Sequence, residues 1–433
     1  MKLNNKRTVF VGLAFMSICA FWQVYDNVIP LMLENTFELN ATTTGFIMGI
    51  DNILALFMLP LFGAISDRTV TKRGRRMPYI VLGTIVAAVC AVLLPLAQQK
   101  KNFIFFMVTL GVVLIAMSTY RSPAVALMPD VTIKPLRSKA NAIINLMGAI
   151  GGALVLLVTP YLVISGNTLV EDNYILLFSA LAAFMLICVA VLVYTVNEPA
   201  CAAEMRSLSA QHGIDETVSE ETGAGDTMKL EPGVRKSFLL ILLSIFLWFM
   251  GYNAVTTGFT RYAQNVWNKG IGNAATILLV AQAAAIISYI PVGMISSKIG
   301  RKKTIMGGIV MLTAAFGASM FFKDFSYIMF VFFALAGIAW AFINVNSYPM
   351  VVEMSKGPNI GRYTGFYYFF SMAAQSVTPA FSGMFVDAFG WWTLFLYGSI
   401  FVALSFVTMF FVKHGDSRPE PRKSKLEAYD VDD

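Results

Sequence analysis

Histidine occurs only at His212 and His414 in these 433 residues, and cysteine only at Cys19, Cys90, Cys188 and Cys201. The four cysteines are scattered, so the chain offers neither a disulfide framework nor a Cys/His metal site. Charge is scarce as well, with 13% charged residues against 57% hydrophobic. There is no Walker loop and no glycine-rich nucleotide turn. Both histidines fall outside the long apolar runs, and no constellation for acid–base or nucleophilic catalysis can be assembled. These absences exclude most enzyme classes and any direct use of ATP.

What is abundant is apolar length. A mean hydropathy of +0.68 means more apolar surface than a soluble fold covers, which predicts a protein of the bilayer. A spanning helix needs roughly 20 apolar residues at 1.5 Å rise each. Twelve such runs are found, at 9–33, 42–66, 77–97, 102–128, 139–164, 173–196, 237–259, 273–296, 304–322, 325–351, 361–385 and 391–412. Several contain Pro or Gly, which membrane helices tolerate when neighbours satisfy the freed backbone groups. The first run is long and is not followed by a small-residue cleavage site, so it reads as a retained helix.

The net charge of +7 would suggest nucleic acid in a soluble chain, but its distribution argues against that. The loops on one face hold only Lys100, Lys101, Arg261, Lys269 and Lys323, and Arg121 lies within a span; every other Lys and Arg shares a face with the N-terminus. That bias places both termini and the basic loops in the cytoplasm, in a multi-pass plasma-membrane protein. The expected partners are the lipid bilayer and a small molecule, not nucleic acid, and the expected state is a monomer. Residues 197–236, rich in Glu and Asp with few apolar anchors, read as a solvated linker. They separate a first lobe, 1–196, from a second, 237–412, and 413–433 is a second solvated tail.

The basic loop at Gly63-Ala-Ile-Ser66-Asp67-Arg68-Thr-Val-Thr-Lys72-Arg73-Gly74-Arg75-Arg76 has a weaker echo at Gly293-Met-Ile-Ser-Ser297-Lys298-Ile-Gly300-Arg301-Lys302-Lys303. Each copy runs Gly, then Asp or Ser four residues on, then a basic residue, a second Gly and a basic cluster. A second echo pairs Asp130 and Arg137 with Glu353 and Arg362, an acid ending one span and an arginine opening the next. Such repetition marks an internal duplication. The loop resembles that between the second and third helices of the major facilitator superfamily. The resemblance implies an all-α membrane protein of twelve transmembrane helices in two six-helix lobes. It also implies a cytoplasmic gate, to which Gly63, Asp67, Arg68, Arg75, Arg76, Asp130, Arg137, Glu353 and Arg362 are assigned. Asp67 with Arg68, Asp130 with Arg137 and Glu353 with Arg362 are the expected pairs; plain membrane-boundary charge is the competing reading.

Ionisable groups deep in a span are costly and mark functional positions. Three occur: Asp26 in the first run, Asp51 in the second and Arg121 in the fourth. Asp26 lies about seven residues, roughly 10 Å, from the end of its run, and Asp51 about nine residues from the corresponding end of the next. At similar depth on adjacent antiparallel helices, two carboxylates in a low dielectric cannot both ionise cheaply, which makes the pair a proton site. Asp51 could instead be a helix-end residue hydrogen-bonded to Asn52. Arg121 is too far for a direct pair with Asp26. It could fork onto a substrate, pair with Asp130 or snorkel to the basic face.

Uncharged polar residues form a further layer: Gln23 beside Asp26, Asn141 and Asn145, Tyr252 and Asn253, Gln282, Asn344 and Asn346, and Gln375. Sugar hydroxyls need such donors and acceptors, while Trp22 and Trp340 could cover a ring's apolar face. The alternative for each amide is a bond to a neighbouring helix.

The runs Arg121-Ser-Pro123 to Asp130, Arg137-Ser-Lys-Ala-Asn141 and Gly74-Arg75-Arg76-Met-Pro78 resemble the sucrose–proton symporters and the adjoining glycoside–pentoside–hexuronide cation symporters. The resemblance implies proton-coupled symport of a sugar or glycoside, sucrose- or maltose-like, with no cofactor beyond the co-transported ion, and alternating access. The plant members carry an acid in the fourth span and an arginine after the matching proline, where Leu114 and Val125 stand here. Either Asp26 or Asp51 takes over coupling, or substrate and ion differ. Efflux of an amphipathic compound by proton antiport and a non-transporting sensor are the other readings.

Overall fold

The computed structural model describes residues 3–133, 136–163, 173–211, 232–352, 354 and 360–416. They include thirteen helices: α1 Asn5–Asn35, α2 Ala41–Arg68, α3 Met77–Gln99, α4 Phe103–Asp130, α5 Arg137–Leu162, α6 Ile175–Thr195, α7 Glu198–Gln211, α8 Pro232–Trp267, α9 Ile271–Ile299, α10 Arg301–Ser319, α11 Ile328–Val352, α12 Ile360–Phe389 and α13 Thr393–Phe410. Each of the twelve apolar runs became one helix, and ten of these helices are long and apolar enough to cross a bilayer. With no water in hydrocarbon to bond the backbone, an apolar run of this length has the helix as its available form. The ends follow local chemistry: Asn4 caps α1 through Arg7 N at 3.1 Å and Asn102 caps α4 through Phe105 N at 2.9 Å.

The chain divides into two compact units. Unit 1 comprises residues 1–39, 50–217 and 270–276; unit 2 comprises 40–49, 218–269 and 277–433. The first turns of α2 and of α9 are therefore grouped opposite to the rest of their helices. In unit 1, α1 packs on α5 and α6, and α3 on α4 and α6; in unit 2, α8 packs on α12 and α13, and α10 on α11 and α13. Helix for helix the pattern repeats, so the duplication read from two loops extends through the packing.

Buried polar groups cross-link the helices where the apolar faces meet. Tyr120 of α4 donates to the Ala14 carbonyl of α1 at 2.8 Å and meets the Ser17 hydroxyl. In unit 2, Ser244 of α8 meets Thr408 of α13 at 2.7 Å. In hydrocarbon such bonds replace the hydrophobic effect as glue between helices.

Two expectations change. The 197–236 segment is not uniformly solvated, because α7 occupies 198–211 and buries Glu198 to 3% exposure. Arg7 of α1 holds Glu204 of α7 at 2.8 Å. Helix α8 extends to Trp267, past its apolar run, by burying Tyr262, Gln264 and Trp267.

Candidate functional site

On α1, Trp22, Tyr25 and Asp26 stand at i, i+3 and i+4, so they share one face. Trp22 and Tyr25 meet edge to face at 5.2 Å between centroids. Asp26 is half-buried, while Tyr25 is 1% exposed. Asp51 of α2 accepts from Asn52 Nδ2 at 2.9 Å and acts by charge on Asp26. Arg121 of α4 acts by charge on Asp51, and its guanidinium lies 6.0 Å from the Trp22 ring centroid. Trp22 and Arg121 thus meet within unit 1, and Asp51 lies within charge range of both Asp26 and Arg121.

Two donors complete this cluster. Trp22 Nε1 and the Tyr25 hydroxyl are buried with no hydrogen-bond partner among the described residues. Such groups cost free energy unless something accepts from them. The Gln23 backbone carbonyl accepts from Asn27 Nδ2 at 2.8 Å within α1, and Gln23 is half-buried.

In unit 2 the first helix repeats the motif with two changes. Phe249, Tyr252 and Asn253 of α8 stand at i, i+3 and i+4, as Trp22, Tyr25 and Asp26 do on α1. Tyr252 stacks on Trp340 of α11 at 3.7 Å with 8° between planes, and Phe249 meets the same indole edge to face at 5.2 Å. The amide at Asn253 donates to the Phe249 carbonyl at 2.9 Å. Asn346, 1% exposed, donates to the Phe342 carbonyl of its own helix at 3.0 Å, and Asn344 is 4% exposed. Asn145 on α5 and Gln375 on α12 are half-buried.

The basic loop is a closed charge network. Gly74, at φ +107°, turns the chain into α3, and a Cβ there would collide with Glu198. Arg76, 4% exposed, donates to Asp130 at 2.8 Å, to Ser66 Oγ at 2.5 Å and to Asp67. Its Nη1 also reaches the Gly63 carbonyl at 3.4 Å. Arg75 meets Asp130 through Nη2 at 2.5 Å and Nε at 3.1 Å. Partial burial works against the Arg75 cation, but Asp130, Asp67 and Glu198 outweigh it and hold its pKa above the ordinary value. The Glu198 carboxylate accepts the N–H groups of Arg75 at 2.8 Å and of Arg76 and Met77 at 3.0 Å. It thus caps the start of α3, where the helix dipole favours an anion.

This geometry corrects one expected pair and removes one option for Arg121. Asp67 and Arg68 are adjacent on one helix, and neighbours at i, i+1 point apart. Asp67 is taken by Arg75 and Arg76, while Arg68 is exposed and makes no ion pair among the described residues. Asp130 is likewise engaged by Arg75 and Arg76 rather than by Arg121. The Arg137 and Arg362 side chains and Glu353 lie outside the described residues, and with them the expected pairs Asp130 with Arg137 and Glu353 with Arg362.

The second loop copy is a lighter version. Gly300, at φ +93°, precedes α10, and Asp416, the last described residue, accepts from Lys302 N at 2.8 Å. Lys302 Nζ donates to the carbonyls of Phe410 at 2.8 Å and Val412 at 2.6 Å. His414 Nδ1 meets Ser237 Oγ at 2.8 Å. In each unit a carboxylate just beyond the sixth spanning helix caps the third, a correspondence the sequence reading missed. For Glu198 the signal was present: Asn197, whose side chain accepts from Ala200 N at 3.2 Å, followed by Pro199, is a helix start.

Residues 10–413 match the family model described as MFS/sugar transport protein. The chain is 22% identical over 317 residues to Multidrug resistance protein 2 of Bacillus subtilis (strain 168), covering 72% of each. Its fold is similar to a bacterial homolog of the human lysosomal transporter Spinster, inward-facing and occupied, at 17% identity and TM-score 0.70 over 94% of this chain and 95% of that one. It is also similar to the inward-open xylose transporter XylE from E. coli, at 14% identity and TM-score 0.67 over 96% and 97%. Twelve long helices in a repeated packing plan and a family match over nearly the whole length agree: the chain belongs to the MFS/sugar transport protein family, and it is a membrane transporter rather than an enzyme.

Proposed function

We propose that this transporter is a proton-coupled symporter of a sugar or glycoside. The observation that carries the reading is the cluster in unit 1, where the Asp26 and Asp51 carboxylates interact beside Arg121 and two buried, unpartnered donors. Two interacting carboxylates at membrane depth hold a proton between them more cheaply than two charges. A substrate hydroxyl accepting from Trp22 Nε1 or Tyr25 and donating to a carboxylate links cargo to that proton. The stacked Tyr252 and Trp340 in unit 2 offer the flat apolar surface that a sugar ring's CH face takes. Of the residues assigned to substrate from sequence, Trp22, Arg121 and Trp340 keep that role, with Asn145, Asn253 and Gln375 as secondary contacts. Asp67, Arg75, Arg76 and Asp130, with Glu198 added, form the gate on the basic face, which we assign to the cytoplasmic side of the plasma membrane, with the protein acting as a monomer.

The Bacillus subtilis relative favours a second reading, proton-driven efflux of an amphipathic compound. Proteoliposomes under an imposed proton gradient separate the two. Labelled disaccharides and glucosides enter with protons in the first case; in the second they do not, and a lipophilic dye moves against the proton flow.

A further inference from the structure

A groove of about 1060 Å³ runs between α3 and α6 of unit 1, at the ends of both helices that adjoin the basic loop. Its walls are apolar, with Leu82 and Ile85 from α3 and Leu186 and Val193 from α6. Leu82 is 59% exposed, Ile85 48% and Leu186 42%, on helices long and apolar enough to span. The groove therefore opens toward hydrocarbon. Its mouth is polar: Thr71, Lys72 and Arg73 of the loop line it, with Tyr194 at the end of α6.

The loop's charges are divided. Arg75 and Arg76 are consumed by Asp67 and Asp130, whereas Lys72 and Arg73 are exposed and make no ion pair among the described residues. The turn carrying those two cations is fixed, since Thr71 Oγ1 donates to the Gly74 carbonyl at 2.5 Å and accepts from Arg73 N at 3.3 Å. Tyr194, 93% exposed, stands where aromatic side chains anchor at the membrane–water boundary. An apolar cleft at acyl-chain depth beneath two uncommitted cations at headgroup depth is complementary to one class of molecule.

We propose that this groove holds one anionic phospholipid of the leaflet adjoining the basic loops, its acyl chain between α3 and α6 and its phosphate on Lys72 and Arg73. The lipid would sit against the same loop that carries Gly74, Arg75 and Arg76, so the site couples leaflet charge to the segment that turns into α3. The inference is independent of which cargo the transporter carries. Each cation near an anionic headgroup contributes about a fivefold gain in affinity, and two together about thirtyfold.

The test is native mass spectrometry of the delipidated full-length protein titrated with dioleoyl phosphatidylglycerol or dioleoyl phosphatidylcholine. Wild type should retain one phosphatidylglycerol about thirtyfold more tightly than phosphatidylcholine. K72Q/R73Q should erase that difference while unfolding at the wild-type temperature. Leu82→Trp, which fills the cleft and leaves the cations, should weaken phosphatidylglycerol severalfold. Millimolar inorganic phosphate should not displace the lipid. Equal retention of both lipids by wild type, unchanged phosphatidylglycerol binding in both variants, or displacement by free phosphate would each overturn the proposal.

Discussion

In unit 1 the glycine that turns into the third spanning helix, Gly74, is followed by two arginines held by Asp67, Asp130 and Glu198; in unit 2 the matching Gly300 is followed by Lys302, held by two carbonyls and the exposed Asp416. The first helices differ in the same sense. Trp22, Tyr25 and Asp26 on α1 correspond to Phe249, Tyr252 and Asn253 on α8, with an acid in one copy and an amide in the other. Duplication kept the helix packing and the capping of helix three in both units. At these matched positions the acids stand in unit 1 and the stacked aromatic pair in unit 2. We read this as a division of labour, with coupling in the first unit and cargo stacking in the second.

The strongest way to break that comparison is to make the copies alike. Asp26→Asn gives α1 the aromatic–Tyr–Asn pattern of α8, and sugar accumulation under an inward proton gradient should fall to the equilibrium ratio. Counterflow exchange of the same sugar should persist. Loss of both activities together would assign Asp26 to cargo binding and remove the division.

A smaller effect is expected at the gate. Replacing Asp67 by Asn removes one charge-assisted bond to Arg76, about 1.5 kcal/mol. If that bond exists in only one of the two access states, turnover changes about tenfold while the binding constant moves less than twofold. Stopped-flow transport and equilibrium binding on one preparation check this, and abolished binding would contradict a gate role.

Trp340→Ala should raise the half-saturation concentration about fivefold, the value of one aromatic contact near 1 kcal/mol, with the proton-to-sugar ratio unchanged. An altered ratio would extend coupling into unit 2. Smallest is the contrast between the caps. Glu198→Gln removes a buried charge that serves three N–H groups and should cost about 1–3 kcal/mol, whereas Asp416→Asn should cost about 0.5 kcal/mol. Thermal unfolding in detergent compares them, and equal losses would erase the asymmetry between the loops.

The spans were legible because hydrocarbon permits few backbone arrangements, so composition over 20 residues decides the matter. Depth along each run, as for Asp26 and Asp51, could be counted in the sequence. Side-chain partners were not. The loop pairs were assigned from proximity in sequence, but the acceptors of Arg76 come from α2 and α4, and the cap on α3 comes from α7, more than 120 residues downstream. A polar, alanine-containing segment reads as linker until its one buried carboxylate is seen. Arg121 meets the face of Trp22, a contact that distance along its own helix does not give.

The most direct test of coupling at Asp26 and Asp51 is proton flux in lightly buffered proteoliposomes when a disaccharide or glucoside is added outside with no imposed gradient. The account predicts external alkalinisation with wild type and none with Asp26→Asn at equal reconstitution. Alkalinisation that survives in Asp26→Asn, or wild type that moves the sugar with sodium and no proton, would contradict it.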